Sequence, residues 1–115
     1  MRKSIQLGNF NSRATVQYFR HNDMNHLEEL MIQITKNMKK KGKKKARRFV
    51  TVEGIYQNYG TICRLREVVA LAKKYKFRVI LDDSVGLGNV GATGRGTLEL
   101  LGLKVGCLSV ICCNC

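Results

Sequence analysis

Two adjacent carboxylates, Asp82 and Asp83, close the apolar run Arg78 to Leu81 and open a stretch with glycine at 86, 88, 91, 94 and 96. Acids at a strand end can stand solvated or cap a helix, and beyond the carboxyl end of a parallel strand they can face a ligand group. The glycines let backbone approach such a group closely. The segment Gly86-Leu87-Gly88-Asn89-Val90-Gly91 formally matches a dinucleotide-binding fingerprint. Two features count against it. Asp82 and Asp83 would repel a pyrophosphate, and no acid stands about 20 residues further on, from Ile111 to Cys115, to hold the ribose.

Other reactive side chains point to less. Five cysteines are present, and four of them, Cys107, Cys112, Cys113 and Cys115, fall in the last nine residues. An odd, crowded set is no spaced disulfide framework, so a reducing compartment is expected. The terminal cluster has no second ligand pair, and His21 and His26 have no partner at metal-ligand spacing, so no metal site is expected. Glu53 and Asp83 read as structural acids. No apolar stretch follows Met1, so no secretory leader is expected. The longest apolar run, Val105 to Cys113, is far shorter than the ~20 residues that span a bilayer.

The net charge is +13, and eight lysines and arginines without one acid lie between Asn37 and Arg48. Like charges repel, and Gly42 interrupts the run, so a solvated basic loop over 39–48 is expected. Polyanion binding is the alternative function this run supports. No aromatics interleave it, which disfavours single-stranded nucleic acid, and a nucleic-acid partner is not expected.

The elements that must position the paired acids follow from periodicity. Ala14 to Phe19 predicts a short strand. Leu27, Leu30, Met31, Ile34 and Met38 predict a helix over about 24–38, with Asn25 and Glu28 as its opening cap. Arg48 to Glu53 alternates and is rich in β-branched residues, a strand signature. Gly54 to Gly60 reads as a loop. Leu65, Val68, Val69 and Ala72 predict a second helix to about Tyr75. Arg78 to Leu81 predicts a parallel strand buried on both faces. The order β-α-β-α-β implies a parallel sheet with right-handed crossovers. Ligands then gather beyond the carboxyl ends of the strands, where Asp82 and Asp83 stand.

The stretch KKYKFRVILDDSVGLGNVGATGRGTLELLGL, Lys73 to Leu103, resembles the α-oxoamine synthase family of pyridoxal-phosphate enzymes. These join an amino acid to an acyl thioester with loss of carbon dioxide. The family pattern is a strand, a paired-acid turn, a histidine and a glycine-rich stretch ending Thr-Gly-Arg-Gly, here Thr93 to Gly96. The resemblance implies that Asp82 stands beside the pyridine nitrogen and keeps it protonated, so that the ring accepts electrons. The family's histidine would fall at Val85, which can neither stack as an imidazole does nor donate a hydrogen bond. One branch lacks that histidine as a rule: the non-catalytic long-chain-base subunit of serine palmitoyltransferase. Arg47 to Ile62 (RRFVTVEGIYQNYGTI), Tyr18 to Met24 (YFRHNDM) and Ser4 to Ala14 (SIQLGNFNSRA) are similar to that branch.

The resemblance covers about residues 4–103 and implies the following. The fold is α/β, part of the three-layer large domain of fold-type I pyridoxal-phosphate enzymes, with a short parallel sheet flanked by helices. Residues 1–104 form that partial aminotransferase class I/II-like domain, and 105–115 form a divergent cysteine-rich tail. The cofactor of the family is pyridoxal phosphate, which this chain alone is not expected to bind. The family's lysine lies downstream in a Ser/Thr-x-x-Lys setting. After Asp82 the only lysine is Lys104, with no Ser or Thr three residues before it. A fragment without catalytic residues, inactive alone, or a non-functional gene remnant, is therefore expected. By resemblance its partner is the catalytic subunit of serine palmitoyltransferase, at the endoplasmic reticulum membrane; otherwise the chain is cytoplasmic. Arg64 and Arg66 depart from the branch, which has prolines near them.

Overall fold

The computed structural model describes residues 11–42, 46–104 and 106, and the backbone of 110–112. The first element that lies wholly among the described residues is α1, Met24–Lys40. Its cap is Asp23, whose carboxylate accepts from the His26 N–H at 3.0 Å. This corrects the expected Asn25 cap: Asp23 stands three residues before an unpaired first-turn N–H, the reach a capping side chain needs. Glu28 instead accepts from the Tyr75 hydroxyl at 2.7 Å and from Lys74 at 3.0 Å, tying α1 to the end of the second helix. Lys39 and Lys40 occupy the last turn of α1, where cations suit the helix dipole, so the helix runs into the basic segment.

Strand β1, Phe49–Glu53, leads to a small antiparallel hairpin of β2, Ile55–Tyr56, and β3, Thr61–Ile62. The hairpin replaces the expected loop, its turn closing with Gly60 N–H on the Tyr56 carbonyl at 2.7 Å. Then come α2, Leu65–Tyr75, β4, Arg78–Asp82, a short α3, Thr97–Leu100, and β5, Val110–Cys112. Helix α2 ends because Lys76 turns left-handed (φ 59°).

The sheet has the order β1-β4-β5 and all pairs are parallel. Val50 pairs with Val79 and Val52 with Leu81, and all four are buried on one face. They form one core with Met24, Leu27 and Met31 of α1 and Leu65, Val68, Val69 and Ala72 of α2. The architecture is α/β, a short parallel sheet flanked by helices.

Two expectations fail here. Ala14 to Phe19 forms no strand; it is irregular, with Tyr18 62% exposed. Alternation prepares a segment for a ladder, but the hydrogen bonds of a strand need a neighbour, and among the described residues none pairs with it. The third strand of the sheet comes instead from residues 110–112. Strand β4 is also not buried on both faces. Ile80 is only half-buried and lines an open groove of about 1050 Å³ with Thr51 and with Leu30, Ile34 and Met38 of α1. The apolar stripe of α1 is thus wider than the face it buries.

Cys63 follows the hairpin and is 2% exposed. Burial pushes its thiol up to about 11, with the Tyr56 hydroxyl 3.8 Å from Sγ. The folded state holds this proton more tightly than the unfolded chain does. The resulting stabilisation is complete below the ordinary value of 9.0 and is lost as pH rises toward about 11. Urea unfolding at stepped pH is expected to show declining stability across that window. Cys63→Ala should flatten the decline; an unchanged slope would refute this assignment.

Candidate functional site

Strands β1 and β4 end side by side, Glu53 in register with Asp82, and the Gly54 N–H donates to the Asp82 carbonyl at 2.8 Å. The two acids that follow do different work. Asp82 is 7% exposed. Its Oδ1 accepts from the Ser84 N–H at 3.0 Å and, in a shorter bond, from the Ser84 hydroxyl. The bonded carboxylate stands at the carboxyl end of the central strand, where parallel sheets bind ligands.

Asp83 turns away into the protein and is 2% exposed. It accepts from the Thr97 N–H at 2.8 Å and from the Thr97 hydroxyl at 2.6 Å, so it opens α3 from a distance of 14 residues. A Cβ at Gly54, Gly86 or Gly96 would run into this carboxylate. Three glycines are therefore required by the packing around Asp83. Gly96 also has φ +89°, which an L side chain rarely adopts. This buried linkage was not foreseen: sequence reasoning marked Asp83 as structural but did not find Thr97. The one local signal was a hydroxyl residue directly after Gly-Arg-Gly.

A second acid organises the outer loop. Glu99 accepts from the Thr93 hydroxyl at 2.6 Å, the Thr93 N–H at 3.0 Å and the Arg95 N–H at 3.0 Å. These bonds, the Thr93 hydroxyl first, hold its carboxyl below the ordinary 4.5. The group therefore contributes stability above that value, which is lost as pH falls through the lower folded value. Glu99→Gln is expected to reduce the stability lost as pH falls below the ordinary 4.5, followed by circular dichroism under constant urea. An acid limb as steep as in the unaltered chain would count against this role.

The loop folds back on itself, with Leu87 bridging to Arg95 and the Gly88 N–H donating to the Gly94 carbonyl at 2.8 Å. A dinucleotide fingerprint opens a helix at its third glycine. Here the next helix begins only at Thr97 and has four residues, so that reading fails on geometry too. Val85, where the family's histidine would stand, is half-buried, and its carbonyl accepts from Asn89 Nδ2 at 2.7 Å.

The remaining singled-out residues make contacts within the fold. His21 stacks on Tyr59 at 4.1 Å, and its Nε2 lies 2.7 Å from the Thr61 hydroxyl. Asn22 donates to the Ile62 carbonyl at 3.2 Å, so the Tyr18 to Met24 stretch clamps the start of α1 to the hairpin. His26 Nδ1 accepts from the Arg20 N–H at 2.9 Å. Arg64 pairs with Glu67 at 2.7 Å, and the Arg66 guanidinium donates to the Leu101 carbonyl. Arg66 thereby fastens α2 to the chain beyond the glycine-rich loop. Among the described residues no group of three His, Cys, Asp or Glu side chains is placed to hold a metal ion. The side chains of Cys112, Cys113 and Cys115 lie outside the described residues.

A parallel sheet with paired acids and a glycine-rich turn at its carboxyl end defines a piece of a large α/β enzyme domain of the fold-type I kind. The chain belongs to the aminotransferase class I and II family, whose pattern matches residues 6–98. It is 49% identical over 96 residues to long chain base biosynthesis protein 1 of Arabidopsis thaliana, covering 83% of this chain and 19% of that protein. It is 46% identical over 89 residues to serine palmitoyltransferase 1 of Saccharomyces cerevisiae, covering 76% and 16%. Among solved structures it superposes on serine palmitoyltransferase from S. paucimobilis with a bound PLP–myriocin aldimine. That match has a TM-score of 0.82 and 32% identity, over 96% of this chain and 26% of the other. The chain thus spans about a fifth of the length of the curated relatives it matches. Among the described residues no helix is long and apolar enough to cross a membrane.

Proposed function

We propose that this chain is a piece of the long-chain-base subunit of serine palmitoyltransferase, the non-catalytic half of the enzyme that condenses serine with palmitoyl thioester. The observation that carries this reading is Val85 three residues after Asp82, inside a glycine-rich loop otherwise of the family's pattern. A bound pyridoxal phosphate would supply an electron sink for a substrate carbanion. The residues present do not complete its site. Asp82, a buried carboxylate at the end of β4, suits the pyridine nitrogen. Val85 offers no imidazole, and Lys104, the sole lysine after Asp82, is exposed beyond α3. This chain alone is therefore inactive, and the catalytic subunit supplies the histidine and lysine. The partial domain of residues 1–104 serves as scaffold and dimer surface, and 105–115 is its divergent end. The endoplasmic reticulum membrane is reached through that partner. The groove left open beside Ile80 supports a domain that other segments complete.

Two measurements test this. Borohydride reduction of the chain with pyridoxal phosphate is expected to label surface lysines diffusely. A stoichiometric adduct at one lysine overturns the inactive reading. Co-expression with a catalytic subunit from the same source is expected to give a complex whose formation depends on this chain. Failure to co-purify would leave it a remnant with ancestry and no partner.

A further inference from the structure

Helix α3 has four residues, far below the ~12–15 at which a helix holds in water unaided, so its order comes from outside it. Asp83 holds its start through the Thr97 N–H and hydroxyl. Arg66, in the first turn of α2, holds its end. Its Nε donates to the Leu101 carbonyl at 2.8 Å, and Nη2 donates to the same oxygen. A helix leaves its last carbonyls unpaired, and this bond satisfies one of them. Gly102 follows at φ +63°, and a Cβ there would stand 3.4 Å from the guanidinium. The glycine-rich loop is bound to α3 in turn. Glu99 gathers Thr93 and Arg95, and the Gly96 N–H donates to the Val90 carbonyl at 3.0 Å. The Leu103 N–H donates to the Leu98 carbonyl at 2.9 Å, and Leu98 itself is buried in the core.

We propose that residues 86–103 form one conformational unit, a flap beyond the carboxyl end of β4, which Asp83 and Arg66 clasp at the two ends of α3 and which opens as a whole when either clasp is lost. The internal bonds of the loop and α3 make the unit, and the two clasps join it to β4 and α2. The clasps differ in depth. Asp83 and Thr97 are buried, whereas Arg66 is exposed, so opening starts at the Arg66 end, where water replaces the guanidinium on the carbonyl at least cost. Ser84, the donor to Asp82, and Val85 lead directly into the flap, so its closure fixes the turn around Asp82. The inference requires neither a cofactor nor a partner subunit, so it stands or falls apart from the serine palmitoyltransferase reading.

The test is amide hydrogen exchange of the whole chain, read residue by residue by NMR. Arg66 is at the surface, so Arg66→Ala removes no core contact. It is expected to speed exchange about 3–10-fold at the amides of Gly88, Gly96, Leu101 and Leu103 together, while those of β1, β4 and the interior of α2 keep their rates. Arg66→Lys, which keeps a single donor, should restore part of the protection. Thr97→Val removes the hydroxyl at nearly constant shape and should speed the same four amides by about tenfold or more. Arg64→Ala, which loses only the pair with Glu67, should leave them as they are. Unchanged exchange at these amides in Arg66→Ala overturns the proposal, as does an equal rise in β1, β4 and α2. So does a result in which Arg66→Ala and Thr97→Val loosen different amides, or in which Arg64→Ala matches Arg66→Ala.

Discussion

Asp83→Ala is expected to lower the folding free energy by about 3–5 kcal/mol, because it strips a buried hydrogen-bonded acid from its partners. Thr97 is fully buried, and both its N–H and its hydroxyl donate to this carboxylate. Alanine leaves both donors unpaired and opens space among Gly54, Gly86 and Gly96. A small domain is stabilised by only about 5–15 kcal/mol, so the variant should sit close to its unfolding midpoint in water. Gly96→Ala approaches the same centre from the other side. Its Cβ meets the carboxylate, and its φ of +89° is strained for alanine. In the Asp83→Ala background the clash is gone and only the backbone strain remains. A double-mutant cycle in urea should then show coupling on the order of 1–3 kcal/mol. Independent, additive effects would mean that the glycines are not there to admit the acid.

Leu81→Ala should cost about 2–5 kcal/mol, and toward the upper end of that range. Leu81 is fully buried in the central strand, flanked by Val52 of β1 and by the backbone of Ile111 in β5. With neighbouring strands on both sides, the cavity cannot easily collapse. Ile80→Ala, one residue away on the opposite face, should cost less than half as much, because Ile80 is half-exposed to the groove. The two variants compared by urea unfolding read out which face of the sheet is the core. The reverse order would show that the groove face is closed in solution.

The family and the elements that carry the site were legible in the sequence. Both long helices and the strands β1 and β4 are local patterns: apolar residues every three or four positions, or every second one. The paired acids and the Thr-Gly-Arg-Gly signature gave the family because they are contiguous. Where a feature depended on a distant partner, the reading stopped. Ala14 to Phe19 has a strand's alternation but no neighbour to bond with. The cap of α1 moved from Asn25 to Asp23, since two acceptors compete and geometry chooses between them.

The sequence by itself determined the parallel β-α-β core around β1, α2 and β4, the charge of the basic segment, and a valine rather than an imidazole at position 85. Each is written in neighbouring residues or in one side chain's chemistry. Only the tertiary structure decided that Asp82 and Asp83, identical and adjacent, have opposite fates. Successive residues at a strand end point to opposite sides, so Asp82 stays at the sheet's carboxyl end with Ser84 while Asp83 is driven inward to Thr97. Only the structure, too, brought Arg66 to the Leu101 carbonyl 35 positions away, because α2 starts at the carboxyl end of the parallel sheet and the chain leaves β4 at that same end.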